Sequence, residues 1–363
     1  MKKLSTFVRL SAHNHSYTST TMNKNLAALI ISITAALMLS ACTHRRQAVP
    51  EPRRAVYYWR TVFRLDTAER EFLARNHVEK IYMRYFDVVA GKQGQPAPNA
   101  TIRFGQAVPR GIEVVPTVFV MNDCLSQDTA QLARRIVERV VQMNATNDIA
   151  GVKELQIDCD WTRSTQQVYF AFLRQVNRAL QARGMRLSVT IRLHQLAMTP
   201  PPCDYGVLMM YNTGDLTRAG DRNPILDPRD VEPYLRHIAA YKLPLCAAYP
   251  IFSIKLLFAG TTYKNMLYDA DLGDTLVFRR VAPQRYVVIS SRDMPSSLTD
   301  DDTHVDVGDS VIVRQVPAAV ILAIHDELER RRPGINDQVI VYDLESSNIN
   351  HYQQHDYEKI YHP

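Results

Sequence analysis

The run Glu154-Leu155-Gln156-Ile157-Asp158-Cys159-Asp160-Trp161 places two carboxylates two positions apart at the end of an apolar segment. Side chains alternate across a strand, so Leu155, Ile157, Cys159 and Trp161 are expected on one face and Gln156, Asp158 and Asp160 on the other. Carboxylates inside a sheet are costly unless they are hydrogen-bonded or put to use. Two acids on one face favour proton transfer, because their like charges leave one of them holding its proton. Capping of the next helix or a structural ion pair would employ the same residues, and the sequence leaves both readings open. A second polar face follows, where Ser188, Thr190 and Arg192 alternate with Leu187, Val189 and Ile191. His194 comes next and reads more readily as an exposed or satisfied histidine than as a catalytic base.

These faces need a scaffold, and strand-like and helix-like patterns alternate from residue 55 onward. Strands are expected at 56–60, 78–86, 113–120, 154–161, 186–193, 206–211, 245–251 and 338–344. Helices are expected at 67–76, 127–144, 164–183, 228–241, 317–332 and 349–360. Leu132, Ile136, Val140 and Met143 recur at helical spacing, as do Val168, Phe172, Val176 and Leu180. Asp66-Thr67-Ala68-Glu69 has the chemistry of a helix start and Gly184 that of a stop. The alternation predicts an α/β fold in which eight parallel strands close into a (β/α)8 barrel. In such a barrel the strands' C-terminal ends carry the chemistry. There the sequence also places Arg84 and Asp87, Tyr211 and Asn212, Tyr249, and Asp343 with Glu345. Each of these could instead be a cap or a rim ion pair. A β-rich insertion, about 258–316, separates the seventh strand from its helix, with β-like runs at 275–279, 286–289 and 310–314. A connection of that length is a lid, a wall or a small subdomain.

Composition narrows the field. With 363 residues and 46% hydrophobic content the chain can bury a full core. A formal charge of +6 without a dense basic stripe gives no sign of nucleic-acid binding. No Gly-rich strand-to-helix turn points to a nicotinamide or phosphate cofactor, and no cofactor is expected. Cys124, Cys159, Cys203 and Cys246 lack metal-ligand spacing and read as buried thiols. Asp300-Asp301-Asp302 lacks the spaced oxygens of a calcium loop and reads as a solvated turn; no metal is expected.

At the other end of the chain, Lys24 precedes an apolar run, 26–39, too short to span a bilayer comfortably, which ends in Leu39-Ser40-Ala41-Cys42. This resembles the lipobox of bacterial lipoprotein signal peptides. The resemblance implies removal of residues 1–41, with translation starting at Met1 or Met22, and acylation of Cys42. It also implies a polar tether over 42–54 and attachment to a membrane of the bacterial cell envelope, with Thr43 directing the protein to the outer membrane. The globular part is then 55–363.

The fourth strand resembles the Asp-x-x-Asp-x-Asp-x-Glu strand of family 18 chitinase-like glycoside hydrolases, and Met209-Met210-Tyr211-Asn212 resembles the Met-x-Tyr-Asp of their sixth strand. By position Asp158 and Asp160 match the second and third acids. Leu155 replaces the first acid, Thr162 stands where the acid Glu would be, and Asn212 replaces an aspartate. A closer resemblance, over most of 55–345, is to a bacterial family of glycoside-hydrolase-like TIM barrels with no assigned reaction; they carry an Ile-Asp-x-Asp strand and a Tyr-Asp-Leu near the end, here Tyr342-Asp343-Leu344. These likenesses imply a TIM barrel that acts on a glycan or oligosaccharide. Asp160 would be the general acid, Asp158 its electrostatic partner, and Glu345 or Asp343 a partner across the mouth. Arg84, Asp87, Arg192, Tyr211, Asn212, Tyr249 and Asp343 would contact the sugar, with Tyr57, Trp59, Trp161, Tyr211 and Tyr249 available as ring platforms. A threonine hydroxyl cannot protonate a glycosidic oxygen at neutral pH. A barrel that binds a glycan, or scaffolds the envelope, without cleaving anything therefore stands beside the enzyme.

Overall fold

The computed structural model of the chain describes residues 51–91, 94–126, 128–295 and 302–362. Residues 1–50, with Cys42 and the expected leader, lie outside the described residues, as do Asp300 and Asp301. No described helix is long and apolar enough to cross a membrane.

Eight strands form a closed parallel ring: β1 Arg53–Tyr58, β2 Lys80–Ala90, β3 Glu113–Val120, β4 Glu154–Asp158, β5 Arg186–Ile191, β6 Tyr205–Met209, β7 Leu245–Pro250 and β8 Gln338–Tyr342. Each pairs with its sequence neighbours, and β1 closes the ring by pairing with both β2 and β8. This is the expected (β/α)8 architecture. The helices packed between strands are α1 Thr67–Arg75, α2 Thr129–Thr146, α3 Gln166–Gln181, α4 Pro228–Leu235 and α5 Ala318–Arg331. The last expected helix is two, α6 Ser346–Ile349 and α7 Gln354–Tyr361. Among the described residues no α-helix connects β2 to β3 or β5 to β6. The first connection starts with an antiparallel strand Pro96–Asn99 on β2, and the second holds only the short 3-10 turn Leu193–Ala197.

Local chemistry explains the helices. Asp66 accepts from the Glu69 amide while the Glu69 carboxylate accepts from the Asp66 amide, a reciprocal cap that fixes the start of α1. Leu132, Ile136 and Val140 on α2, and Phe172, Val176 and Leu180 on α3, are buried in the main core as their spacing predicts. Gly184 ends α3 at φ +66, a conformation that a β-carbon disfavours. Arg53 and Arg54, expected in the tether, are instead the first residues of β1. The Arg53 guanidinium reaches Glu113 at 3.0 Å and that of Arg54 the Asn76 carbonyl at 3.3 Å.

The lower half of the barrel interior is polar and filled. Lys80 donates to Glu154 at 3.0 Å, and Glu154 also accepts from Ser188 at 2.6 Å and Tyr205 at 2.5 Å. Tyr205 bonds Tyr82, which accepts from Gln338 at 2.8 Å. Lys80 and Glu154 are 1% and 0% exposed, so this layer is sealed from solvent by its own partners.

The insertion begins at Ser253, earlier than the expected 258. Its five-stranded antiparallel sheet runs in the order Thr262–Met266, Ser253–Ala259, Ser310–Gln315, Arg285–Val288, Phe278–Ala282. One face packs onto the barrel core through Ile254, Leu256 and Ile312, and the other covers a small core of its own around Leu257, Phe278, Val288 and Val311.

Candidate functional site

A cavity of about 250 Å³ opens at the C-terminal ends of the strands. β4 brings Asp158 to it, and β5 supplies the partners. Asp158 Oδ1 accepts from Thr190 Oγ1 at 2.6 Å and from Arg192 Nη2 at 2.9 Å. The alternation of Ser188, Thr190 and Arg192 therefore does what the pattern predicts, turning all three toward the carboxylates of β4. Burial opposes the charge of Arg192, but Asp158 outweighs it and holds the guanidinium protonated well above its ordinary range.

Arg84 and Asp87 face each other in the cavity wall and form an ion pair through two hydrogen bonds. Residues three apart on a regular strand point to opposite faces. A bulge between Arg84 and Phe86, where β2 slips against β3, removes that opposition. Tyr85 and Phe86 consequently both face α2: Tyr85 donates to Asn144 at 2.7 Å, and the Arg139 guanidinium lies 5.1 Å from the Phe86 ring. Arg84 also lies over the Trp59 ring, 5.6 Å from its centroid.

The apolar wall is aromatic. Tyr342, at the end of β8, stacks on Tyr211 with centroids 4.7 Å apart and meets Trp59 at 5.9 Å. Phe252, at the entry to the insertion, stands edge-on to both tyrosines. Burial raises the Tyr211 and Tyr342 hydroxyls well above their ordinary pKa, so they are hydrogen-bond donors. The Tyr211 hydroxyl is buried and has no hydrogen-bond partner among the described residues. Asn212, at φ +54, follows it into the lining. Phe119 and Met209 complete the wall.

Arg84, Asp87, Asp158, Arg192, Tyr211 and Asn212 are thus brought together as the sequence predicts. Other expectations fail. Asp160 does not join Asp158 on the inner face, because β4 ends at Asp158; its side chain is 62% exposed on the rim, 3.9 Å from His194. The scheme in which two adjacent like charges retain a proton has no geometric basis. Asp343 and Glu345 do not line the cavity: Tyr342 takes the inward position, so Asp343 points away, accepting from Asn348 at 2.6 Å. Glu345 stands at the start of α6. Tyr249 faces outward on β7, donating to Asn336 at 2.7 Å and packing on His325 of α5. Trp161 is buried against Tyr169 of α3, centroids 5.7 Å apart, and offers no ring to the mouth. Thr162, in the acid position of the resembled motif, is exposed and bonds Ser164 at 2.8 Å.

Sequence reasoning missed Tyr342 as a cavity aromatic and Phe252 as the ring packed on it and on Tyr211. Strand parity held the signal for Tyr342, which stands two positions after the inward-facing Ile340 side of β8; Phe252 lies past the end of β7 and left none. Among the described residues no group of three His, Cys, Asp or Glu is arranged to hold a metal, and the four cysteines are free thiols.

No protein-family model matches the chain, and no curated protein matches it in sequence. Solved structures do match in shape. A chitinase from Chromobacterium violaceum aligns with TM-score 0.52 at 13% identity, over 85% of this chain and 98% of that one. The Bacillus cereus spore cortex-lytic enzyme SleL aligns with TM-score 0.51 at 13% identity, over 85% and 73%. Catalytic domain 2 of the Ostrinia furnacalis Group II chitinase, solved with penta-N-acetylchitooctaose, aligns with TM-score 0.50 at 10% identity, over 85% and 95%. At such identities the likeness establishes the fold alone: this chain has the (β/α)8 TIM-barrel architecture that these proteins share.

Proposed function

We propose that the barrel mouth is a sugar-binding site and that the chain is a glycan-binding protein built on a glycoside-hydrolase scaffold. The observation that carries this reading is the combination in one cavity of Trp59, Tyr211 and Tyr342 with two arginine–aspartate pairs, Arg84–Asp87 and Arg192–Asp158. Sugar rings have apolar faces that pack on aromatic rings and hydroxyl edges that need paired donors and acceptors. A chitinase that the fold resembles was solved with an oligosaccharide, which supports the same ligand class. Acid catalysis needs a carboxyl able to give up a proton, opposite a second carboxylate. Here both cavity acids are engaged by guanidiniums, and the resembled acid position is a threonine.

Hydrolysis keeps one specific support: both hydrogen bonds of Asp158 go to Oδ1, leaving Oδ2 for a substrate or a water. The Leu39-Ser40-Ala41-Cys42 motif supports attachment through an acylated Cys42 to the bacterial envelope, the outer membrane by its Thr43.

Calorimetric titration of the soluble barrel with N-acetylglucosamine oligomers tests the site. Saturable binding that falls about tenfold or more in Trp59→Ala, with no sugar released on long incubation, is the expected result. Release of shorter sugars that stops in Asp158→Asn would replace the binding reading by the hydrolytic one. Absence of any binding would remove both. Metabolic labelling with palmitate, lost in Cys42→Ser, tests the anchor.

A further inference from the structure

The insertion sheet carries a charged row that plays no part in its own packing. Arg279 lies opposite Val287, and Arg285 opposite Ile312, so Arg279, Arg285 and Arg314 project from one face of three adjacent strands. Diagonal neighbours on a sheet face are about 7–8 Å apart, within reach for side chains of this length. In the middle of the sheet this face packs on the barrel, but toward its edge Arg279 and Arg285 are exposed. Neither has an acidic partner among the described residues. Burial and then the charge of Arg285 push the Arg314 guanidinium below its ordinary range, and its Nε has no hydrogen-bond partner among the described residues. Asp221 offsets this in part but is itself engaged by Arg229 at 2.9 Å. Like charges in a row repel, and Asp221 offsets only part of that cost.

The row ends at the mouth's own loop. Arg314 donates to the Gly220 carbonyl, and Asn223 donates to the Gln315 carbonyl at 2.8 Å. That loop starts with Tyr211 and Asn212 of the cavity lining.

We propose that Arg279, Arg285 and Arg314 form a subsite for the carboxylates of an acidic glycan, one of whose sugar rings occupies the barrel mouth. The proposal rests on the reading of the mouth as a sugar site and names the class of glycan. Guanidinium groups bind carboxylates through paired, charge-assisted hydrogen bonds, and a spaced row suits a polymer with an acid on successive units.

The test compares an oligogalacturonate with a neutral N-acetylglucosamine oligomer of equal length, titrated into the unmutated protein and into Arg279→Glu/Arg285→Glu, with circular dichroism confirming the fold of each. The expected result is that the acidic oligomer binds about tenfold tighter than the neutral one, that added salt erodes the difference, and that the double variant loses it while keeping neutral-sugar binding. Equal affinity for the two oligomers, or an acidic preference surviving in the double variant, overturns the subsite and leaves the mouth reading intact. Failure of both oligomers to bind overturns the mouth reading itself. Binding of polyglutamate or anionic phospholipid vesicles as tight as that of the oligogalacturonate overturns the assignment to a glycan.

Discussion

Asp343 sits one residue beyond the cavity-lining Tyr342, outside the mouth. Burial, and next the neighbouring Glu345, raise its carboxyl to about 7. An unfolded aspartate titrates near about 3.9, so the folded state holds this proton more tightly. The stability it contributes is full below about pH 4 and is lost as pH rises through about 7. Thermal melts of the unmutated protein should therefore fall over that window relative to Asp343→Asn. At pH 8 the Asn variant should be the more stable, by up to about 4 kcal/mol. Parallel melting profiles for the two proteins would refute the assignment. The sequence placed Asp343 correctly at a strand end but not on the correct side. Neighbouring side chains on a regular strand point to opposite faces, and composition alone did not say which of Tyr342 and Asp343 takes the inward one.

Elements carry the same lesson. The reciprocal cap at Asp66 and Glu69 was legible because capping is local chemistry, and Ser346 at the start of α6 adds a hydrogen bond to the Asp66 carboxylate. Asp66→Ala should lower stability by about 1–2 kcal/mol, read as a shift in the urea midpoint with unchanged slope. A change below a few tenths of a kcal/mol would mean that the cap is idle. The strand faces of β4 and β5 were equally legible, because period-2 alternation is dictated by the backbone. Asp160 was misplaced because alternation says nothing about where a strand stops. Arg84 and Asp87 were found as residues, yet their pairing was not, because a bulge depends on how two strands register and leaves no mark in either one alone.

Across the whole molecule, the barrel and its insertion differ in how they are held. The ring strands are buried on both faces within one large core, whereas the outer face of the insertion sheet covers only a small cluster. Leu276, Val281 and Val307, 76%, 58% and 65% exposed, all lie in the insertion. Native-state hydrogen exchange should show amides of Phe278–Ala282 and Arg285–Val288 opening well before those of β4 to β6. Uniform protection would mean that the two parts unfold as one. The closed ring was readable from eight alternating runs, while the insertion was seen only as a long connection. Its first strand, Ser253–Ala259, follows β7 so closely that the two read as a single apolar stretch.

The layer of Lys80, Glu154, Tyr205, Tyr82 and Gln338 makes the barrel a blind well. Nothing can thread it from end to end, so whatever descends must back out by the same door. A polymer can dip a terminus or a side branch into such a well, while its midsection can only drape across the rim.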